Sequence, residues 1–357
     1  NMLTGMISSV SGKVDTSGTN VTVDTDAVFV SGSGGNIAIG ENALNSTTTD
    51  AADNNIAIGK EAGTAITTGA NNILIGRQAG DGFDTEGDNI GIGKNALGGS
   101  IAGAGKCIAI GTNSMALAAT ISGTIAIGYE AANVISTGSG NVAIGYQALK
   151  AEQTGKYSTA VGYQALTLQL DGSGSQDDGR NTAMGYLAGS AITSGAWNTV
   201  IGVNSLSQTS THDGNTVLGA YAMDSGVANN CVAIGVNSLG GVLTTGADGS
   251  VGIGYAALMA LTEGENNIAV GYRAGKAIVD ADSCIAIGKD AMLVHTGGSD
   301  ASGINNIAIG VNAMNDNDQS DATLQSNRNI FIGNNSGGGT WTTASCDGNT
   351  AVGHSTL

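Results

Sequence analysis

The sequence lacks the residues with which most proteins of this length build a thick core. It has no Pro, and aromatic residues make up only 4% of its 357 residues. Small aliphatic side chains supply most of the hydrophobic share, and Gly reaches 59 residues. This composition disfavours the two or three globular domains that the length would otherwise suggest. It suits many thin, closely stacked layers.

Positive charge is also scarce. Only 12 Lys and Arg stand against 29 Asp and Glu, which gives a net charge of −17, and the cations form no cluster. We therefore expect no nucleic-acid partner, because phosphate neutralisation needs grouped Lys and Arg. An anionic membrane surface would repel the chain, and the acidic balance is typical of a solvated exterior.

Long apolar runs are absent as well. The longest covers seven residues, 255 to 261, whereas a membrane-spanning helix needs about 20. We therefore expect no membrane insertion. No signal-peptide pattern is visible in a chain whose first residue is Asn.

One short pattern recurs through nine-tenths of the chain. A Gly that closes "IAIG", or a near variant, returns 18 times between residues 36 and 357, most often 17 residues apart. Such periodicity indicates a repeat architecture. The repeat glycines are Gly40, Gly59, Gly76, Gly93, Gly111, Gly128, Gly145, Gly162, Gly185, Gly202, Gly219, Gly235, Gly254, Gly271, Gly288, Gly310, Gly333 and Gly353.

The positions around each repeat Gly are restricted in every copy. Position −3, three residues before the Gly, is Ile, Val or Thr, and position −1 is Ile, Val, Leu or Met. This alternation predicts a short strand whose positions −3 and −1 face inward, as for Ile56 and Ile58. Position +3 is Ala, Ser or Thr, and we expect positions +3 and +4 to form a second inward wall. Gly between them permits a turn or close packing.

A unit of 17 residues cannot bury its own apolar face, but stacked units can. The repeat therefore predicts an all-β fold, a parallel β-solenoid of about 18 coils over residues 36–357. At ~4.8 Å per coil the rod would be roughly 85 Å long. The absence of Pro agrees, since Pro would remove a hydrogen-bond donor from each ladder.

Position −4 predicts a polar ladder along the rod. It is Asn in 12 copies, and stacked Asn side chains can bond amide to amide. Cys107, Cys231 and Cys284 occupy the same position on coils at least ~14 Å apart, too far for the ~7 Å of a disulfide. We expect buried thiols that replace Asn or Ser. Cys346 lies in a connection.

Three stretches carry a resemblance to a known family. "CVAIG" (231–235), "NVAIG" (141–145) and "STAVG" (158–162) resemble the YadA-like head repeats of trimeric autotransporter adhesins. The same pattern in this chain also looks like repeats of phage tail-fibre proteins. The resemblance implies a left-handed β-roll and a homotrimeric rod. The repeat is longer here, and no heptad pattern of a coiled-coil stalk is visible.

The first 35 residues follow a different pattern. Residues 21–32, "VTVDTDAVFVSG", alternate apolar and polar side chains and predict one or two strands. We expect residues 1–35 to cap the first coil, where an open edge would invite aggregation. A joint to a preceding module and a disordered leader are the alternatives.

Candidate catalytic and metal-binding residues are few. His212, His295 and His354 share no metal-binding spacing. No Gly-Lys pair is followed by the Ser or Thr that a phosphate-binding loop requires. Paired carboxylates for glycoside cleavage would come from "DGFDTEGD", but a solvated acidic loop is the favoured interpretation. The four acids there are Asp81, Asp84, Glu86 and Asp88. "NDNDQSD" (315–321) lacks the Gly and Glu of an EF-hand. We predict no catalytic residue, cofactor or metal.

A stripe of Tyr follows the repeat Gly. Six of the eight Tyr lie at position +1, four of them on consecutive coils, and they predict a stack along the rod. A saccharide-binding strip is the alternative. The six are Tyr129, Tyr146, Tyr163, Tyr186, Tyr255 and Tyr272. In the first coils the same position predicts a solvated charged face with Glu41, Lys60, Arg77 and Lys94.

These patterns predict a fibre shaft rather than an enzyme. The leading hypothesis is a phage tail fibre or virion appendage that attaches to a host receptor or polysaccharide, with itself and other fibre or baseplate proteins as partners. A bacterial surface adhesin or extracellular filament is the alternative. A carbohydrate-active enzyme ranks lower, and an ice-binding surface lower still, because Thr holds no single outward column. Candidate specificity loops are residues 81–88, 171–180, 294–304 and 315–328.

Overall fold

The computed structural model describes residues 28–30, 35–47, 52–99, 105–118, 120–170, 179–208, 211–293, 304–315, 327–338 and 347–356. These residues form nineteen strands of three residues each, a 3-10 turn at Thr245–Ala247 and no α-helix. The strands are β1 (Val28–Val30), β2 (Ile37–Ile39), β3 (Ile56–Ile58), β4 (Ile73–Ile75), β5 (Ile90–Ile92), β6 (Ile108–Ile110), β7 (Ile125–Ile127), β8 (Val142–Ile144), β9 (Thr159–Val161), β10 (Thr182–Met184), β11 (Thr199–Ile201), β12 (Thr216–Leu218), β13 (Val232–Ile234), β14 (Val251–Ile253), β15 (Ile268–Val270), β16 (Ile285–Ile287), β17 (Ile307–Ile309), β18 (Ile330–Ile332) and β19 (Thr350–Val352).

The strands β2 to β19 form one parallel sheet in chain order. Each strand pairs with the next so that the same repeat position lies opposite itself, as Ile56 lies opposite Ile73. Every one of the 18 repeats thus contributes one strand, and the predicted parallel β-solenoid is confirmed.

Hydrogen bonds between coils continue beyond the strands. The N–H of Gly76 donates to the carbonyl of Ile58 at 2.7 Å, and the N–H of Gln78 donates to the carbonyl of Lys60 at 2.9 Å. Further around the coil, the N–H of Thr67 donates to the carbonyl of Asp84 at 2.9 Å. Backbone groups in the turns are therefore satisfied by neighbouring coils, as buried polar groups require.

The predicted direction of the strand side chains is wrong. In every strand from β2 to β19 the middle residue at position −2 is buried, while Ile56 and Ile58 are only half-buried. Ala57 and Ala62, at positions −2 and +3, are fully buried. The interior is too thin for Ile on two facing walls, so the small residues point in and the branched ones point out. The second inward wall at positions +3 and +4 is confirmed.

A larger core residue at position −2 is matched by a smaller residue at position +4. Where position −2 is enlarged to Leu74, position +4 is Gly80, and an added Cβ there would lie 2.5 Å from the Leu74 side chain. Phe331 and Gly337 repeat this exchange, with a separation of 2.7 Å. Because interiors are close-packed, a larger residue on one wall requires a smaller one opposite.

The repeat Gly is fixed by two independent constraints. Its φ lies between +126° and +148°, a region that side chains other than Gly rarely adopt. A Cβ on Gly145 would also lie 2.2 Å from the carbonyl oxygen of Gly162 on the next coil. The repeat Gly is therefore a position at which successive coils approach closely in coil after coil.

The strand β1 lies at the open edge of the sheet. Val28 to Val30 pair antiparallel with β2, so that Phe29 lies opposite Ala38. Such pairing covers the ladder of the first coil, as we expect of a cap. Residues 1–27 and 31–34 of the predicted cap lie outside the described residues.

Replacing the repeat Gly145 by Ala should destabilise the fold strongly. The unfavourable φ and the backbone clash each raise the free energy of the folded state. We therefore expect a loss of about 3 kcal/mol or more in the free energy of unfolding. The matched control is Gly123→Ala, because Gly123 has φ +64° and nothing within 4 Å of an added Cβ. It should cost about 1 kcal/mol. Equal urea midpoints for the two variants would contradict the close-approach account.

Candidate functional site

The outer face of the sheet is the main candidate functional surface. We use this name for positions −3, −1 and +1 of the strands β2 to β19. Position −1 is aliphatic in all 18 coils and reaches 37% exposure at Ile39, 48% at Met184 and 66% at Val352. The strip measures about 80 Å by 10 Å, on the order of 800 Å². Position +1 is charged in the first coils, so the apolar part of the strip is the column at position −1 together with the Ile and Val of position −3.

The alternation of side chains along the strand explains why position −1 is exposed. Position −4 carries the Asn ladder, which is buried, and position −2 shares its face because side chains alternate. Positions −3 and −1 must then point away from the interior. The buried Asn column was the sequence signal that would have given the correct orientation.

The predicted Asn ladder is confirmed, with more bonds than amide to amide. Asn72 donates from Nδ2 to Oδ1 of Asn55 at 3.0 Å, and Oδ1 of Asn55 also accepts the backbone N–H of Asn72 at 2.9 Å. Asn72 Nδ2 donates as well to the carbonyl of Glu86 at 2.9 Å. Each Asn therefore joins the strand to the connection that precedes the next strand.

The three column cysteines are buried free thiols, as predicted. Cys231 Sγ lies 3.3 Å from the carbonyl oxygen of Ala247 and takes the place of an Asn Nδ2 donor. Burial raises the pKa of Cys231 and of Cys284 to about 11 and also raises the pKa of Cys107. A neutral thiol is a weak nucleophile, so these side chains are structural. Cys346 lies outside the described residues.

The Tyr stripe forms a stack at one border of the outer face. Ring centroids of Tyr129, Tyr146, Tyr163 and Tyr186 follow one another at 5.0–5.3 Å with interplanar angles of 7–15°. Tyr255 and Tyr272 stack in the same way. Ring faces within the stack thus cover each other, whereas a sugar would need a free face. The geometry favours the ladder interpretation over the saccharide strip.

The charged start of this column is exposed, as predicted. Lys60 Nζ lies 2.7 Å from Glu41 Oε2 in an ion pair whose side chains are about half exposed. Exposed pairs of this kind contribute about 1 kcal/mol or less. The column therefore changes from solvated charge near β2 to stacked rings near β8 without a change in backbone.

Three of the four candidate catalytic acids accept hydrogen bonds that hold the connection in place. Glu86 is 5% exposed, and its Oε2 accepts the N–H groups of Asp84 and Thr85 at 3.0 Å each. Asp84 accepts the hydroxyl of Thr67, and Asp88 accepts Nδ2 of Asn71 at 3.3 Å. These bonds hold the connection in place and favour the structural interpretation of the acidic loop.

Asp81 alone faces a groove. The groove has a volume of about 410 Å³ and is lined by Gln78, Asn95, Asn113 and neighbouring residues. Burial raises the pKa of Asp81, with a smaller contribution from Glu61. Asn95 Nδ2 donates to Asn113 Oδ1 at 3.1 Å, so the lining amides bond partly to one another.

One buried pair of polar side chains was not predicted from the sequence. Glu152 and Gln169 are fully buried at position +7, where neighbouring coils carry Ile135 and Ile192. Gln169 Nε2 donates to Glu152 Oε2 at 2.8 Å, while Glu152 Oε1 accepts the N–H of Gly155 at 2.6 Å. Because Glu152 and Gln169 lie at the same position of two neighbouring repeats, their bond links adjacent coils.

Several predicted features lie outside the described residues. These are residues 171–178, 294–303 and 316–326 of the candidate loops, together with His295. His212 is half-buried, and burial lowers its pKa. Within the described ranges, no three His, Cys, Asp or Glu side chains are grouped to hold a metal ion. Those ranges also contain no helix with the length and apolarity to cross a membrane.

Comparison with known proteins adds no family assignment. No protein-family model matches the chain, and curated proteins give no significant match.

The column thiols should resist alkylation in the folded chain. In a Cys346→Ser background near pH 8.5, a pKa of about 11 instead of 9.0 lowers the thiolate fraction roughly hundredfold. We expect no iodoacetamide adducts by mass spectrometry under native conditions and three adducts in denaturant. Because the folded pKa is raised, these thiols also reduce stability as pH rises from 9 towards 11. Rapid native alkylation would contradict their burial.

Proposed function

We propose that the chain is a structural and adhesive fibre shaft whose copies associate through the outer face. The observation that carries the proposal is the unbroken aliphatic column at position −1. A solitary rod would leave this column partly exposed to water along its length. Association removes it from water at a gain of roughly 25 cal/mol per Å², before the cost of association is subtracted.

The size of the outer face suits a stable assembly. Standard interfaces bury about 800 Å² on each partner, and the strip is of that order. Resemblance to YadA-like head repeats supports three chains and a left-handed β-roll. Three sheets would then meet around one axis, with their stacked turns outside.

The shaft most readily serves as a phage tail fibre or related virion appendage. Interlayer bonds around each coil favour stiffness, and the long connections provide variable surfaces along a constant rod. Its partners would be further copies, other fibre or baseplate proteins, and a host-surface receptor or polysaccharide. A bacterial trimeric adhesin or extracellular filament is the alternative, because both use such repeats. We propose no catalytic role, since Glu86 bonds within its own loop, and Asp84 and Asp88 accept bonds from Thr67 and Asn71 on the preceding coil.

Charges placed on the outer face should dissociate the assembly. Wild-type protein should sediment at three times 34.9 kDa, whereas Ile127→Glu with Ile144→Glu should sediment as a folded monomer, because buried unpaired carboxylates are costly. The matched control is Leu117→Glu with Leu168→Glu, since these exposed Leu lie away from the outer face, 62% and 52% accessible. Analytical ultracentrifugation and circular dichroism provide the readouts. A monomeric wild type, or dissociation of the control alone, would contradict the proposal.

A further inference from the structure

Position −5, just before each strand, is left-handed in every coil. Its φ lies near +45° to +72° in all 18 copies. Most coils place Gly or Asn there, as in Gly140 and Asn230, because these residues tolerate this region best. The two aromatic residues in the column are Tyr157 and Trp197.

Three successive coils break this rule together. Tyr157, Arg180 and Trp197 precede β9, β10 and β11, with φ of 59°, 45° and 65°. A left-handed residue with a side chain costs about 1–2 kcal/mol. Leu at position +4 is also left-handed, but it is buried in the core. Tyr157 and Trp197 are 60% and 52% exposed, so packing offsets little of their cost. Lys106 in the same column and Tyr221 at position +2 are also left-handed and exposed, so the backbone angle belongs to the repeat. What distinguishes these three coils is that two exposed aromatic rings and a guanidinium lie on consecutive coils.

The three side chains form a platform rather than a closed stack. Arg180 Cζ lies 4.5 Å from the centroid of the Trp197 ring, within cation–π range. Tyr157 packs over Gly140, where an added Cβ would lie 2.9 Å from its ring. The coil after Trp197 has Gly214 at this position, so no side chain in the column covers Trp197 from that direction.

Hydroxyl groups border the platform on the same coils. Position −3 is Ile or Val in most of the rod, but it is Thr159, Thr182 and Thr199 in β9, β10 and β11. All three are half-exposed or exposed on the outer face. Thr216 in β12 continues the run, so Thr occupies position −3 on four consecutive coils. On these coils the outer face is therefore less apolar at position −3 than in most of the rod.

We propose that Tyr157, Arg180 and Trp197 form a glycan-binding platform along the rod axis. Two alternate sugar rings of a glycan chain would pack on Tyr157 and Trp197, which lie two coils or about 10 Å apart, with the intervening sugar next to Arg180. The Arg180 guanidinium would donate hydrogen bonds to sugar hydroxyl or carboxylate oxygens between them.

A contact between copies of the chain explains the platform less well. An interface along the rod repeats on every coil, as the aliphatic position −1 does. The platform is confined to three coils, and there position −3 turns polar. This inference deepens the proposed attachment function by naming a ligand class, and it rests on that function for biological meaning.

The test uses variants that should keep the fold. Trp197→Asn and Tyr157→Asn introduce the residue that Asn230 and Asn266 already supply in this column. The matched control is Lys106→Asn, which makes the same change at φ +63° on a coil far from the platform. A Trp341→Phe background leaves Trp197 as the sole Trp. Its fluorescence then reports binding directly.

The probes are an array of purified bacterial surface polysaccharides and neutral and uronate-containing hexasaccharides. We expect binding by the background and Lys106→Asn, a loss of roughly tenfold or more for each single platform variant, and none for the double variant. Melting temperatures should stay equal or rise, since strain is relieved. Calorimetric titration measures affinity for variants without Trp197.

Three results would overturn the platform. One is no binding to any probe while the oligomer is intact, which leaves the shaft proposal standing. Another is unchanged affinity in the double variant. The third is a changed oligomeric mass in the double variant, which would assign Tyr157 and Trp197 to a contact between copies.

Discussion

Every position in this chain must tolerate its own copy one strand spacing, about 4.8 Å, away. Backbone hydrogen bonds between coils impose this constraint, because they keep the same repeat position in register from β2 to β19. Gly satisfies this constraint where the backbones of two coils nearly touch. Asn satisfies it by bonding to the Asn of the next coil, and Tyr by stacking its ring on the next Tyr. The composition follows from the same constraint, since Pro would remove donors.

The same constraint moves the large aliphatic residues outward. A coil that closes after 17 residues has room for Ala, Asn and one or two larger side chains, such as Leu258 and Leu261. A Leu or Phe occupies position −2 only opposite Gly. Ile and Val therefore occupy the outer face, where their β-branched side chains suit a pleated surface. Stability within a chain thus comes from layer contacts, and on our proposal the outer face serves assembly. The same proposal assigns recognition to the coils that depart from the pattern.

Much of the fold could be predicted from the sequence. Periodicity gave the strand positions, the parallel solenoid, the Asn ladder, the Tyr stack and the buried Cys column. The inward direction of Ile56 and Ile58 was wrong, because alternation alone does not say which face is inside. Glu152 and the platform at Tyr157 were missed. Backbone angle and burial identify these residues, and a sequence pattern carries neither. The trimer and the receptor stay predictions, since both depend on contacts beyond one chain.

The most direct test of the account is the structure of the assembled rod by electron cryomicroscopy. The account predicts three chains whose sheets face a common axis, with the position −1 side chains of β2 to β19 buried against one another. The platform residues Tyr157 and Trp197 should remain accessible at the border of each sheet. Chains that meet through their turns, with the aliphatic column in solvent, would contradict it.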